Sequence, residues 1–267
     1  MSLRLPGRNG APWEAQHSVV GSGLIVPTPA GIRIGHECCS TQIYSNAQFD
    51  DYQLLPRRRF PWSAPLRLEI RARFSHGAEH LIGTAGFGFW NDPFMFLGAR
   101  TPSLPRAIWF FFSSHFSDMA LARDVSGCGW KAATIDAQRA KFYMLAPTAP
   151  IAIPLMNIEH IYRRLWPIAQ RAIGVAEAEI KADMTGWHTS VLAWNEQSGA
   201  FYVDGACVLV TDQSPHGRLG LVIWMDNQYL VVTPRGKLRH GLLSTTRRQW
   251  MEVGHIHVNR PQGFQAT

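Results

Sequence analysis

Hydrophobic and polar residues alternate strictly in the segment LRLEIRARF, residues 66–74. A period of two predicts a β-strand with one buried face, because successive side chains of a strand point to opposite faces of the sheet. The segments HLIGTAGFGFW (80–90) and AIWFFFSS (107–114) also have the length and composition of strands. The glycines of the segment 80–90 further indicate a curved strand, or one that another group approaches closely.

A turn signal lies in the segment FYVDGACVLV, residues 201–210. Asp204 and Gly205 separate two β-rich runs, which predicts a hairpin with a two-residue type I′ turn. This position gives Asp204 a structural role rather than a catalytic one. Two further strands are predicted for LGLVIWMD (219–226) and QWMEVGHIHV (249–258).

One segment departs from the strand periodicity. Residues 157–183 carry apolar side chains at the spacing of an amphipathic α-helix. Asn157 is a suitable N-cap for this helix, and Pro167 is expected to kink the helix or to divide it in two. We interpret the segment as a helical insertion in a β-protein and not as a second domain.

Together these features predict an all-β fold, in which residues 1–267 form a single domain of two antiparallel sheets packed as a sandwich. The order of four segments, FGFWNDP (87–93), GWHTSVLAW (186–194), FYVDG (201–205) and GLVIW (220–224), resembles the concanavalin A-like lectin/glucanase superfamily. The resemblance implies a jelly-roll sandwich whose closing strand lines a concave sheet. It does not fix a function, because the superfamily holds lectins, glycosidases, lyases and non-catalytic modules.

The resemblance extends to the glycoside hydrolase family 16 sandwich, whose retaining enzymes carry a Glu-x-Asp-x-(x)-Glu cluster on one strand. Such a cluster holds a nucleophile and a general acid about 5–5.5 Å apart. The sequence has no such cluster, and Glu69 has Arg67, Arg71 and Arg73 at the neighbouring polar positions of its strand. We therefore expect no hydrolysis of β-glucans by double displacement.

The segment LGLVIWMDNQYLVVTP (219–234) places polar residues where an apolar strand would otherwise continue. If the strand pairing continues, Trp224, Asp226 and Gln228 share one face and Asn227 lies on the other. The alternative is that the strand ends at Trp224 and that the polar residues form a loop. We favour the first interpretation, because the apolar run YLVV resumes at once.

A second polar group follows the strand that ends at Trp90. Asn91 and Asp92, with a proline after them, either deliver polar groups to a cleft or form a turn that Asp92 caps. We expect Trp90 or Trp109 to lie close to Trp224 on the concave side of the sheet.

The leading hypothesis is that the protein binds a small organic or sugar-like ligand in a Trp-lined concave cleft, with the helical insertion as a lid or wall. The residues assigned to this ligand are Trp90, Asn91, Trp109, Trp224, Asn227 and Gln228. The alternative is an intracellular enzyme, such as a cyclase, isomerase or hydrolase of an apolar metabolite, with Asp226, Asp92 or Glu69 as general acid/base. A third interpretation is a structural module without a small ligand.

The amino-acid composition indicates which kinds of binding partner to expect. The 26 basic and 19 acidic residues give a formal charge of +7, but the basic residues are scattered and form no recognisable nucleic-acid motif, so no nucleic acid is expected. Ten tryptophans are unusual, and we expect some of them to line a ligand face. No apolar run approaches the roughly 18 residues of a membrane span, so no membrane partner is expected. The first residues lack the features of a secretory signal.

Cysteine and histidine suggest neither a metal nor a cofactor. The adjacency of Cys38 and Cys39 suits neither a zinc site nor a disulfide framework, so reduced thiols and a cytoplasmic location are expected. We regard this pair as structural, because no partner for a thiol nucleophile can be placed nearby. His255 and His257 share a face of the last strand, but the sequence suggests no third metal ligand. The oligomeric state stays open.

Overall fold

A computed structural model of the protein describes residues 4–6, 12–14, 16–93 and 101–260. Within these residues, two seven-stranded antiparallel sheets pack face to face, and one hydrophobic cluster of residues from both sheets lies between them. Two two-stranded sheets accompany them. The predicted all-β sandwich is therefore confirmed.

The strands are β1 (Arg4–Pro6), β2 (Pro12–Glu14), β3 (Gln16–Val20), β4 (Gly23–Thr28), β5 (Gly31–His36), β6 (Asn46–Asp50), β7 (Leu66–Phe74), β8 (Thr84–Trp90), β9 (Arg106–Ser113), β10 (Gly129–Asp136), β11 (Ala176–Glu179), β12 (His188–Trp194), β13 (Gly199–Val203), β14 (Ala206–Thr211), β15 (Gly220–Asp226), β16 (Gln228–Val232), β17 (Leu238–Leu242) and β18 (Gln249–Asn259). The first sheet has the order β11-β10-β9-β8-β15-β6-β3, and the second has the order β14-β13-β12-β7-β18-β5-β4. The pairs β1–β2 and β16–β17 form the two small sheets.

Alternation along the strands fills the space between the sheets. In β7 the residues at even positions, from Leu66 to Phe74, are buried and the intervening ones are not, as the sequence predicts. Strands β8 and β9 contribute four phenylalanines to the same core, namely Phe87, Phe89, Phe110 and Phe112. The inward face of the first sheet is thus covered by the aromatic core between the sheets. Aromatic residues on the outward face of the same sheet are not part of this core, so packing between the sheets does not explain them.

The hairpin between β13 and β14 turns at the predicted residues. Asp204 and Gly205 have φ angles of 50° and 82°, the positive values that a type I′ turn requires. The carboxylate of Asp204 accepts a hydrogen bond from the Thr189 amide at 2.8 Å and lies 2.5 Å from His188 Nδ1. Asp204 therefore ties the turn to the neighbouring strand.

The predicted helical insertion is confirmed, with different bounds from the predicted 157–183. It connects β10 to β11 and contains the helices α1 (Ala140–Leu145), α2 (Ala149–Leu155) and α3 (Glu159–Ala172). Helix α3 continues through Pro167 and is not divided there. Asn157 is not its N-cap, because that position belongs to Ile158 and the Asn157 side chain donates instead to backbone carbonyls of α2.

Helix α3 ends earlier than its apolar periodicity predicts. Gly174 has a φ of 60° and donates to the Arg171 carbonyl, while Val175 donates to the Gln170 carbonyl at 3.0 Å. This is the Schellman arrangement that terminates a helix, and glycine adopts the required conformation without strain. The following residues form β11, which pairs with β10 at the edge of the first sheet.

Candidate functional site

Strand β15 lies in the middle of the first sheet and directs Trp224 away from the core between the sheets. Its neighbours Ile223 and Met225 belong to that core, whereas Trp224 belongs to a separate apolar cluster. Trp224 pairs with Gly86 of β8, and a Cβ atom on Gly86 would lie only 2.8 Å from the Trp224 ring. A Cβ atom on Gly88 would likewise lie 2.6 Å from Cβ of Trp109. The glycines of β8 thus accommodate two tryptophans, which agrees with the second of the two alternatives that the sequence left open, a strand that another group approaches closely.

Four aromatic rings meet on this outward face, and we call Trp90, Trp109, Phe111 and Trp224 the outer aromatic cluster. The Trp224 ring centroid lies 5.2 Å from that of Trp109, 5.8 Å from that of Phe111 and 6.1 Å from that of Trp90. Trp224 retains only 7% exposure, while the other three rings are half-buried. Trp224 therefore forms the base of the cluster, and the other three rings reach its surface.

Polar groups border the cluster at the Trp90 end. The Trp90 indole donates to the Tyr52 hydroxyl at 2.5 Å, and the Gln48 amide donates to the same hydroxyl and to Asp50 Oδ2 at 3.2 and 3.0 Å. Burial raises the pKa of Asp50, although the hydrogen bond from Gln48 opposes this shift. Sequence reasoning missed these residues, although Gln48, Asp50 and Tyr52 alternate in the segment NAQFDDY.

A second polar group lies at the other end of the cluster. The Trp224 indole donates to Thr84 Oγ1 at 3.0 Å, and the Thr84 hydroxyl donates to Asp226 Oδ1 at 2.8 Å. The backbone amide of Gln228 donates to the same carboxylate oxygen at 3.0 Å. Burial raises the pKa of Asp226 to about 6, and these hydrogen bonds oppose part of the shift. Asp226 therefore titrates close to the neutral range.

Asn227 and Gln228 mark a junction and not a continuation of β15. The strand ends at Asp226, and Gln228 begins β16 of a separate sheet. The fully buried Asn227 side chain accepts from the Ser45 amide and donates to three carbonyls, those of Ser40, Ile43 and Leu243. The expectation that pairing continues through Gln228 is wrong. The polar residues 226–228 lie where the chain leaves the first sheet and begins a separate one.

Asn91 and Asp92 support the turn interpretation. The Asn91 side chain accepts from the Arg106 amide at 2.9 Å and donates to the Leu104 carbonyl at 2.9 Å, which fixes the segment that leads into β9. Asp92 is 4% exposed and has a φ of 48°. Both side chains are buried where the strand ends.

The three candidate carboxylates lie in separate places. Asp226 pairs with Thr84 at the start of β8, and Asp92 lies two residues beyond Trp90, where β8 ends. At about 3.3 Å per residue, the strand from Thr84 to Trp90 places roughly 20 Å between its two ends. Glu69 lies on the second sheet, where Arg67 and His255 contact it at 2.8 and 3.4 Å. No two of these residues form an acid/base pair.

The structure changes the interpretation of the cysteine and histidine residues. Cys39 Sγ lies 3.1 Å from His36 Nδ1 and 3.2 Å from Ser22 Oγ, so the expectation that no partner lies nearby is wrong. Burial alone would raise the pKa of Cys39, but these hydrogen bonds outweigh it and lower the pKa to about 7. The His255 and His257 ring centroids lie 5.2 Å apart, and the described residues contain no group of three metal-ligating side chains.

The chain matches no family model and no curated protein sequence. Among solved structures it is similar to the carbohydrate recognition domain of Emp47p, at 10% identity over 97% of this chain and 94% of that chain, with a TM-score of 0.47. It is also similar to the Crh5 transglycosylase, at 9% identity over 98% and 84% of the two chains, with a TM-score of 0.46. A third is the Bacillus licheniformis β-glucanase, at 11% identity over 87% and 80%, with a TM-score of 0.43. The assignment of the sandwich rests on the strand pairing itself.

Proposed function

We propose that the protein binds a small organic or sugar-like ligand on the outer aromatic cluster. The observation that carries the proposal is the grouping of three tryptophans and one phenylalanine on the outward face of a sheet whose inward face already has a complete core. Half-buried aromatic rings on a rigid strand face offer flat apolar surface at a low cost in conformational entropy. A sugar ring or another flat ligand stacks on such a surface.

Hydrogen-bonding groups at both ends of the cluster support a polar ligand. Gln48, Asp50 and Tyr52 border one end, and Thr84 and Asp226 border the other. A ligand site commonly combines apolar walls with a few fixed polar groups that set orientation.

The helical insertion contributes a wall beside Phe111. The segment 114–128 follows the end of β9, and the buried Lys131 donates to its carbonyls at Met119 and Ser126. Helix α3 lies on this segment, because the Trp166 indole donates to the Leu121 carbonyl at 2.8 Å. We infer that these elements confine a ligand on one side of the outer aromatic cluster. We also propose that the protein is cytoplasmic.

Titration of tryptophan fluorescence tests the proposal, with laminaritriose, cellotriose, chitotriose and an apolar dye as probes. Trp109→Ala removes a surface ring, and we expect it to weaken the binding of at least one probe by about 10- to 100-fold, the equivalent of 1–3 kcal/mol. Trp187→Ala is the matched control, since Trp187 is a half-buried tryptophan near the outward face of the second sheet. Equal losses in both variants, or no binding of any probe by the wild type, would contradict the proposal.

A second candidate function is catalysis by Asp226. Its raised pKa, about 6, lets it both hold and release a proton near neutral pH, as a general acid/base must. Asp226→Asn keeps the shape of the side chain and removes its charge. If the protein is an enzyme, this variant should bind the ligand with unchanged affinity and lose turnover by at least about 100-fold. If turnover of a bound ligand survives the substitution, Asp226 has no catalytic role.

A further inference from the structure

The helical insertion exposes far more apolar surface than its packing requires. All seven residues of α2 are apolar, and neither α1 nor α2 contains a buried residue. Helices of six and seven residues gain little stability from their own hydrogen bonds, so apolar burial normally holds them in place. We define the apolar surface of the insertion by its exposed large side chains, which are Tyr143, Met144, Ile151, Ile153, Leu155, Ile158 and Ile168.

Helix α3 presents exposed apolar and basic residues next to each other. Its buried Trp166 attaches it to the segment 114–128, while Ile158 and Ile168 remain 55% and 58% exposed near its two ends. Arg163 is exposed on a different part of its circumference, whereas the exposed Arg164 lies one turn before Ile168 on the same face, at the edge of the apolar surface. An amphipathic helix whose apolar side stays in contact with water lacks its partner.

Within the insertion itself, most charged residues are basic. Residues 140–172 contain one lysine and three arginines but only one acidic residue, Glu159. Arg163 contacts Glu159 at 2.8 Å, and Arg235 from the β16–β17 hairpin pairs with it as well. The same hairpin adds the exposed Lys237 and Arg239. A second copy of this chain would bring like charges together, whereas an anionic lipid surface offers an apolar interior and negative headgroups.

We propose that the helical insertion docks on a membrane surface that contains anionic lipids. None of the helices in the described part of the chain is long and apolar enough to cross a membrane. The insertion therefore lies in the interface, with the apolar surface among the acyl chains and the basic residues at the headgroups. This inference uses residues other than the outer aromatic cluster and does not depend on the proposed ligand.

Co-sedimentation of the full chain with phosphatidylcholine vesicles, with or without about 30% phosphatidylserine, tests this inference. We expect the protein to sediment with the phosphatidylserine vesicles and to be released by high salt. Met144→Asp combined with Ile151→Asp should lower the partition coefficient by about tenfold or more. Leu54→Asp is the matched control, because Leu54 and Met144 are both 78% exposed, and it should leave binding unchanged.

A charge-reversal pair separates the electrostatic contribution. Arg164→Glu with Arg171→Glu should weaken binding to phosphatidylserine vesicles about tenfold, whereas Arg58→Glu with Arg59→Glu makes the same charge change outside the insertion and should have little effect. The inference is overturned if the wild type binds neither kind of vesicle, or if the control variants lose as much binding. It is also overturned if the wild type is a dimer that Met144→Asp with Ile151→Asp converts to a monomer.

Discussion

Asp226 is buried beside hydrogen-bond donors that are themselves neutral. Thr84 and the Gln228 amide stabilise its carboxylate, but they do not offset the loss of water around the charge. The pKa of Asp226 is therefore raised to about 6. The position suits a proton-transfer group or a ligand contact, and it makes the stability of the fold depend on pH.

The sign of this dependence follows from the raised pKa. Between about pH 4 and pH 6 the folded state holds the Asp226 proton more tightly than the unfolded state does, so the stabilisation is present below this window and is lost as the pH rises through it. The loss is about 3 kcal/mol, since the pKa rises from 3.8 to about 6. Asp226→Asn does not titrate and retains an accepting oxygen. Its free energy of unfolding, relative to the wild type, should therefore increase by about this amount from pH 4 to pH 7 in urea titrations. A difference that stays constant across the window would show that the carboxylate is not desolvated.

The end of β15 shows how one amide side chain joins two elements. Asn227 uses its oxygen and its nitrogen to satisfy four backbone groups, from the Ser45 amide to the Leu243 carbonyl, where the chain leaves the first sheet. These groups would otherwise be buried without partners, which is costly in a protein interior. The junction therefore fixes both the loop before β6 and the start of the β16–β17 hairpin.

Asn227→Ala should lower the free energy of unfolding by about 3 kcal/mol or more, because it leaves several buried backbone groups unpaired. Asn195→Ala is the control, since the Asn195 side chain is exposed and donates to Ser198 of its own turn. This control should cost less than about 0.5 kcal/mol. Urea unfolding of both variants measures the difference, and equal small effects would show that Asn227 is not a structural clamp.

The whole chain contributes to both large sheets. Strand β18 pairs with β5 on one side and with β7 on the other, so residues near the two ends of the described chain meet in the second sheet. Neither sheet has a hydrophobic face that is complete without the other. We propose that the protein is one cooperative domain.

Thermal unfolding monitored by far-ultraviolet circular dichroism and by tryptophan fluorescence tests this proposal. The two signals should change in a single transition with the same midpoint, because strands of both sheets share one core. Two separated transitions would show instead that the chain contains independently stable units.

Local pattern determined the strands and the hairpin turn. The alternation of residues 66–74 and the pair Asp204–Gly205 describe interactions between near neighbours, which a sequence displays directly. The existence of a helical insertion follows from its periodicity in the same way. Its end does not, because Gly174 stops α3 where the apolar spacing continues.

The sequence also predicted that Trp224 and Asp226 share the concave face of the sheet, close to Trp90 or Trp109, since strand alternation places residues 224 and 226 on one side. It could not show that Gln48 lies opposite Trp224, because the register between β6 and β15 joins residues far apart in the chain.

Only the tertiary structure decided how far each side chain is exposed and which distant groups it contacts. Trp224 is covered by its neighbours, Asn227 is occupied by backbone groups, and Cys39 meets His36 and Ser22. The apolar surface of the insertion likewise does not form one continuous apolar run in the sequence, because three short helices contribute to it. Burial and non-local pairing arise when the chain folds back on itself, and periodicity along the sequence contains no record of them.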